Sequence, residues 1–252
     1  KVKSPNYPRY GYGPKNHMYT ILLWMGNDVN GQELKDHLYI PGQEGYRQAN
    51  YNYAWYNNPY FAANELNQVY DQDILHGHTA LTWRISPEFT IKGRAAARQK
   101  NLFQDMQSPK SYMNYGDSRN GDYKNWDSKQ VNFDADVLAT YIKQWSDSYG
   151  VTINAGSATY TRNLRELSLS TDGLVVPFVY NVGNTQGPVK GTNSITEKTT
   201  RSVYAAVNLN VFKSTYLNLS GRNDWSSALP EVNQSYFYPS VSLSSVISDY
   251  FK

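Results

Sequence analysis

Ser202-Val-Tyr-Ala-Ala-Val-Asn-Leu-Asn-Val-Phe212 is followed, after Lys213-Ser214-Thr215, by Tyr216-Leu-Asn-Leu-Ser-Gly-Arg-Asn223. Both runs alternate apolar and polar side chains with a period of two. In an extended chain Val203, Ala205, Val207, Leu209 and Val211 share one face, and Ser202, Tyr204, Asn208 and Asn210 share the other. On the return run Leu217 and Leu219 oppose Asn218, Ser220, Arg222 and Asp224. Two such runs joined by a short polar connection predict an antiparallel hairpin.

The same pattern extends outward in both directions. Residues 236–248 set Phe237, Val241, Leu243 and Ile247 against Ser240, Ser242, Ser244 and Ser248. Residues 131–142 set Val131, Phe133, Ala135, Val137 and Ala139 against Asn132, Asp134, Asp136 and Thr140. They turn through Ser146-Asp147-Ser148 into 149–160, where Val151, Ile153 and Ala155 oppose Thr152, Asn154 and Gly156. Residues 75–85 turn through Ser86-Pro87 into 89–98, where Phe89, Ile91, Ala95 and Ala97 oppose Thr90, Lys92, Arg94 and Arg98. Pro cannot donate to a ladder, so Pro87 belongs to the turn.

Between the hairpins lie long polar stretches: about thirty residues after 98, then 161–199, then the shorter 226–235. Short turn, long loop, short turn, long loop is the order of an up-and-down membrane barrel, whose short turns all lie at one end. A soluble antiparallel sheet with one face on a core is the alternative. Two features favour lipid. The apolar faces run for about ten positions, the length of a tilted membrane strand. Aromatics also gather beside the short turns: Trp83 and Phe89, Trp145 and Tyr149, Phe212 and Tyr216, and Tyr250 and Phe251. Such rings favour the membrane interface, although Phe212 and Tyr216 break the parity of their strands.

Composition agrees. Of 252 residues, 23 are Tyr, and the aromatic share of 15% nearly equals the charged share of 18%, a balance of strands and polar loops rather than helices. Mean hydropathy is −0.66 and no apolar run approaches the length of a membrane helix; alternating strands give barrels the same polar average. The absence of Cys excludes disulfides and thiol chemistry. A net charge of +3, evenly spread, gives no reason to expect nucleic acid. The chain starts at Lys1 with nothing like a signal peptide, and is read as a mature or internal segment. The expected fold class is all-β: a segment of a large antiparallel up-and-down transmembrane β-barrel. Residues 1–73 are expected to form an extracellular loop region of irregular structure, and 74–252 about seven strands.

Three motifs, in order, resemble one family. Tyr216-Leu-Asn-Leu-Ser-Gly-Arg-Asn-Asp-Trp-Ser-Ser-Ala-Leu-Pro230, followed by Tyr236-Phe-Tyr-Pro-Ser-Val-Ser242, is similar to a strand–loop–strand of SusC/RagA-type TonB-dependent transporters. Gln48-Ala-Asn-Tyr-Asn-Tyr-Ala-Trp-Tyr-Asn-Asn-Pro-Tyr-Phe61 resembles that family's Trp-x-Asn-Pro-Tyr-Phe region. Thr171-Asp-Gly-Leu-Val-Val-Pro-Phe-Val-Tyr-Asn-Val-Gly-Asn184 resembles its Gly-Leu-x-Val-Pro loop. The resemblance implies a 22-stranded barrel in the outer membrane of a Gram-negative cell, plugged by a further domain and driven through TonB, ExbB and ExbD. It also implies a SusD-like surface lipoprotein as lid, and uptake of a large nutrient, an oligosaccharide or a peptide. No plug or TonB-contacting box is recognised in this chain, and seven strands cannot close such a barrel, so the rest is expected elsewhere in a longer polypeptide. A soluble extracellular carbohydrate-binding or adhesion domain, or a barrel scaffold in a larger surface complex, are the rivals.

Candidate chemistry is sparse. The lumen-lining candidates are Asn208, Asn210, Asn218, Arg222, Asp224, Asp134, Asp136, Lys92 and Arg94. Arg222 and Asp224 read either as lining of the transport path or as an ion pair anchoring the strand end. Tyr112, Tyr115, Tyr123 and Trp126 in the loops are placed either to stack on ligand, to meet the lid, or to pack the loops together. His76 and His78 share a strand face but lack a third metal ligand, and are read as polar lining. Asp117, Asn120, Asp122 and Asp127 suggest Ca²⁺ by composition but lack the spacing of an EF-hand loop; a solvated loop is the simpler reading, and no cofactor is expected. Asp134 and Asp136 point the same way from one strand and do not flank a bond. With no Ser/His/Asp set or phosphate-binding Gly loop, no enzymatic activity is expected.

Overall fold

The computed structural model describes residues 2–4, 17–113, 120–212 and 214–250. Its eight strands form one sheet in sequence order. They are β1 (Val2–Ser4), β2 (Asn67–Arg84), β3 (Phe89–Ser108), β4 (Asp122–Ser146), β5 (Tyr149–Ser170), β6 (Lys190–Val211), β7 (Thr215–Ser226) and β8 (Ser235–Ser245). The all-β, up-and-down expectation holds. The short β1 pairs antiparallel with β2 through Val2↔Tyr70.

Register bears out the parity reading. Across β6 and β7, Val207 faces Leu219, Leu209 faces Leu217 and Asn208 faces Asn218. Across β7 and β8, Leu219 meets Val241, Leu217 meets Leu243 and Asn218 meets Ser242. Apolar residues thus line up on one face and polar residues on the other through three consecutive strands.

Two expectations change. β3, β4, β5 and β6 continue well past the alternating segments, so the long polar stretches shrink to loops at 109–121 and 171–189. The cause is physical: alternation records a sheet with lipid on one side, and where both faces meet water the pattern disappears though the strand goes on. Thr161-Arg-Asn-Leu-Arg-Glu and Lys190-Gly-Thr-Asn-Ser-Ile-Thr-Glu-Lys are such stretches. Residues 1–73 are also not irregular throughout, since β2 begins at Asn67 and three short helices precede it: α1 (His17–Leu23), α2 (Gly31–Asp36) and α3 (Pro59–Glu65).

The chain divides into two compact units. One comprises Ile74–Lys100, Gln130–Leu164 and Ile195–Lys252 and holds the alternating segments. Its apolar face is open: Leu81 is 77% exposed, Val241 72% and Leu243 70%. On β5 the apolar Ile153 and Ala155 are exposed, while Asn154 and Gly156 on the polar face are half-buried. This reverses the arrangement of a soluble sheet, in which the apolar face is the covered one. At the short turns Tyr149 and Phe212 meet edge to face at 5.9 Å, and Trp83 and Trp145 stand exposed. Phe251 lies outside the described residues. The first turn is tied to the next strand, where the Ile142 N–H donates to the Glu88 carbonyl at 2.8 Å.

The other unit comprises Lys1–Asp73, Asn101–Lys129 and Arg165–Ser194. It has a buried centre at Phe61, Ala62, Leu34, Met113 and Leu174, held by amide side chains of the Trp-x-Asn-Pro-Tyr-Phe segment. Pro59 opens α3, where its missing N–H costs nothing, and Asn58 caps it, accepting from the N–H groups of Tyr60 and Phe61. Asn58 Nδ2 also donates to the carbonyls of Leu34 (2.8 Å) and Ala49 (2.9 Å). Asn57 pairs with the backbone of Met113 in both directions, each bond 2.8 Å, and Gln48 Nε2 donates to Asn57 Oδ1 and to the Ser111 carbonyl. Gly121 turns this unit's chain at φ +77°, with the backbone of Ser108 and Lys110 2.9 Å from where a Cβ would stand; only glycine fits.

Candidate functional site: the polar face of the wall

The strands position the sequence candidates by parity. Asn208, Asn210, Asn218, Arg222 and Asp224 occupy one face by register. Arg94 reaches Asp136 from β3 to β4 in a two-pronged pair, Nε to Oδ1 at 2.8 Å and Nη2 to Oδ2 at 2.9 Å. The fork geometry of a guanidinium matches a carboxylate in this way. Asp134 is exposed and Lys92 half-buried. Asn218 Nδ2 donates to Ser242 Oγ at 3.2 Å, and Thr140 is hydrogen-bonded to Asn154 at 2.8 Å.

A second group forms around Arg222. Its Nε donates to Asp224 Oδ1 at 2.7 Å and its Nη2 to Ser202 Oγ at 2.9 Å, while its guanidinium lies 5.7 Å from the centre of the Tyr204 ring. The ring in turn lies over Gly156. A Cβ there would stand 2.6 Å from Tyr204 Cζ and 2.7 Å from the Val137 carbonyl oxygen, so glycine is what lets the ring lie flat against the strand. Arg94, Asp136, Gly156, Tyr204 and Arg222 therefore form a belt across β3 to β7. Arg222 is thus tied to Asp224 within its own strand and to Ser202 on the neighbouring one. The sequence candidates did not include Tyr204 or Gly156 as a pair. A glycine on one strand beneath a large ring on the next, far along the chain, leaves no local signature, because cross-strand register is needed to see it.

The remaining candidates distribute differently. Tyr112 and Tyr123 are buried within their unit and so belong to loop packing rather than to an open stacking surface. Tyr123 and Thr171 exchange bonds at the loop bases: the Tyr123 N–H donates to Thr171 Oγ1 at 2.8 Å and the Thr171 N–H to the Tyr123 carbonyl at 2.9 Å. Trp126 is half-buried on β4; Tyr115 and Asp117 lie outside the described residues. His76 and His78 are both exposed on β2. Asp122 accepts from Thr171 Oγ1 at 2.7 Å, and among the described residues no three or more His, Asp or Glu side chains converge.

A sheet of successive hairpins, with a hydrogen-bonded polar face, an open apolar face and aromatics at the turns, is a segment of a transmembrane-type β-barrel wall. Comparison with solved structures agrees. The chain superimposes on the RagAB peptide transporter with a TM-score of 0.65 at 18% identity, covering 78% of this chain and 22% of that one. The RagAB peptide importer in its closed-closed state gives 0.66 at 18% identity, covering 81% and 24%. The chain shares the barrel-wall fold of those structures, which agrees with the resemblance of its motifs, and it spans about a quarter of their length. No family model and no curated protein matches the sequence.

Proposed function

We propose that this chain is a wall segment of an outer-membrane, TonB-driven importer of a large nutrient, an oligosaccharide or a peptide, working with a SusD-like lid. The observation that carries the reading is the pair of opposed faces: an apolar face open along β2 to β8, suited to lipid, and a polar face crossed by Arg94–Asp136 and Arg222–Asp224, suited to water and solute. RagAB, with the same fold, is a peptide transporter, which supports import and makes peptides one substrate class to test. No covalent step is needed; ligand would be captured at the loop side and passed along the polar face when TonB and its ExbB and ExbD partners act on a plug. Residues 1–73 would belong to the extracellular side.

The test uses cells carrying or lacking the gene, supplied with labelled oligosaccharide or peptide mixtures. Uptake is expected to vanish on deletion and on collapse of the proton gradient. Uptake unaffected by both treatments contradicts import. Purification in plain buffer as a folded monomer, without detergent, contradicts the barrel and favours a soluble surface domain. A lipoprotein retained with the barrel during mild extraction is the expected sign of the lid.

A further inference from the structure

On β6 the apolar face ends in a cation where the membrane boundary falls. On β6 the series Val211, Leu209, Val207, Ala205, Val203 ends at Arg201, on the same face. From Val211 to Arg201 the strand rises about 33 Å. At the usual tilt this is about 25 Å along the membrane normal, the height of a barrel's apolar band. Arg201 therefore stands at the interface on the long-loop side, with Trp225 directly opposite on β7.

Its surroundings form a recess of about 550 Å³ lined by Arg201, Trp225, Val203, Thr199, Ser227 and Gln234. Neighbouring polar groups on this margin are engaged. Asn223 Nδ2 donates to Ser235 Oγ at 2.9 Å. Ser227 Oγ accepts from the Thr199 N–H at 2.8 Å, and the Ser227 N–H donates to the Thr199 carbonyl at 2.9 Å. These bonds fix the hairpin end that frames the recess. Arg201 is different: it is exposed, and among the described residues no carboxylate pairs with it. Glu197, the next acid along the same face, is about 13 Å further up the strand.

We propose that this recess docks the phosphate of an anionic membrane lipid. The guanidinium supplies a forked donor set that matches phosphate oxygens, and the Gln234 amide and nearby hydroxyls add donors. Trp225 and Val203 line the same recess with apolar surface for the glycerol and upper acyl region, the amphipathic environment in which Trp settles. A cation with no carboxylate partner at this depth attracts anionic headgroups, and the partner's chemistry follows from that charge. The inference rests on the membrane-barrel reading.

The test compares the natural protein with Arg201→Gln and Arg201→Lys, each incorporated into lipid nanodiscs of phosphatidylcholine containing dioleoyl phosphatidylglycerol. Native mass spectrometry then counts the phosphatidylglycerol retained. Arg201→Gln is expected to retain about fivefold less than the natural protein, and Arg201→Lys most of it. Equal retention by the natural protein and Arg201→Gln overturns the docking site. Inorganic phosphate alone, titrated into the detergent-solubilised natural protein, is expected not to bind. Binding of it that Arg201→Gln abolishes would assign the recess to a free anion and overturn lipid docking. Failure of all three proteins to enter the discs defeats the barrel reading, and the docking site with it; entry with equal retention defeats the docking site alone.

Discussion

Asn58 serves five bonds while fully buried: its side-chain oxygen caps α3 by accepting from two backbone N–H groups, its amide nitrogen donates to two carbonyls, and its own backbone N–H donates to Gln48 Oε1. Losing a cap costs about 1 kcal/mol, and the two carbonyls left unpaired add about 1–3 kcal/mol. Asn58→Ala should therefore expose this unit to protease and speed its amide exchange, while leaving the alternating strands protected. Gly156→Ala acts elsewhere. The added methyl meets a ring and a backbone oxygen, so Tyr204 must lift and lose Arg222, at about 1–3 kcal/mol in unfolding measurements; Tyr204→Ala in the same background should relieve the ring's share of the clash and leave that of the Val137 oxygen. Tyr39 and Tyr180 give a pH dependence. Burial first, then the negative charge of Glu65, hold both phenols above their ordinary range. The folded unit keeps protons that the unfolded chain releases, so its stability is intact below about pH 10 and falls as pH rises beyond it. Proteolysis from neutral to strongly alkaline pH should show this loss, and Tyr39→Phe with Tyr180→Phe should reduce it, leaving the smaller share of Tyr51 and Tyr123, whose phenols burial also holds above the ordinary range.

At the scale of the strand, the two faces of β6 make opposite predictions. Val207→Arg places a charge in the middle of the apolar face and should cost about 2–4 kcal/mol on folding into lipid vesicles. Asn208→Arg, one residue on, faces the polar side and should cost little. Equal costs would remove the distinction between the faces. The same alternation explains what the sequence made legible. Val203 to Val211 and its partners revealed the hairpins, their order and the facing of Asn208, Asn218 and Arg222, because lipid on one side writes a period of two into the chain. Beyond the apolar band that pressure ends, so the outer halves of β5 and β6 read as loop. The helical segment before β2 was hidden for another reason: its helices are short, and the Asn57 and Asn58 amides that hold them bond to residues as distant as Met113 and Leu34. The Arg94–Asp136 pair combined two residues already chosen singly; their meeting depended on the register of β3 with β4.

For the whole molecule, the central claim is that the exposed apolar face is the lipid face and the polar face meets water. These 252 residues contain no Cys, so a cysteine placed among them has no competitor within this segment. The decisive measurement places one Cys at each position from 203 to 211 in turn, in the protein folded in membranes, and records its rate of labelling by a water-soluble maleimide. Fast labelling is expected at 204, 206, 208 and 210 and protection at 203, 205, 207, 209 and 211, with protection lost when the membrane is dissolved and the protein unfolded. Fast labelling at Val203, Val207 and Leu209 in intact membranes, or no alternation at all, would contradict it.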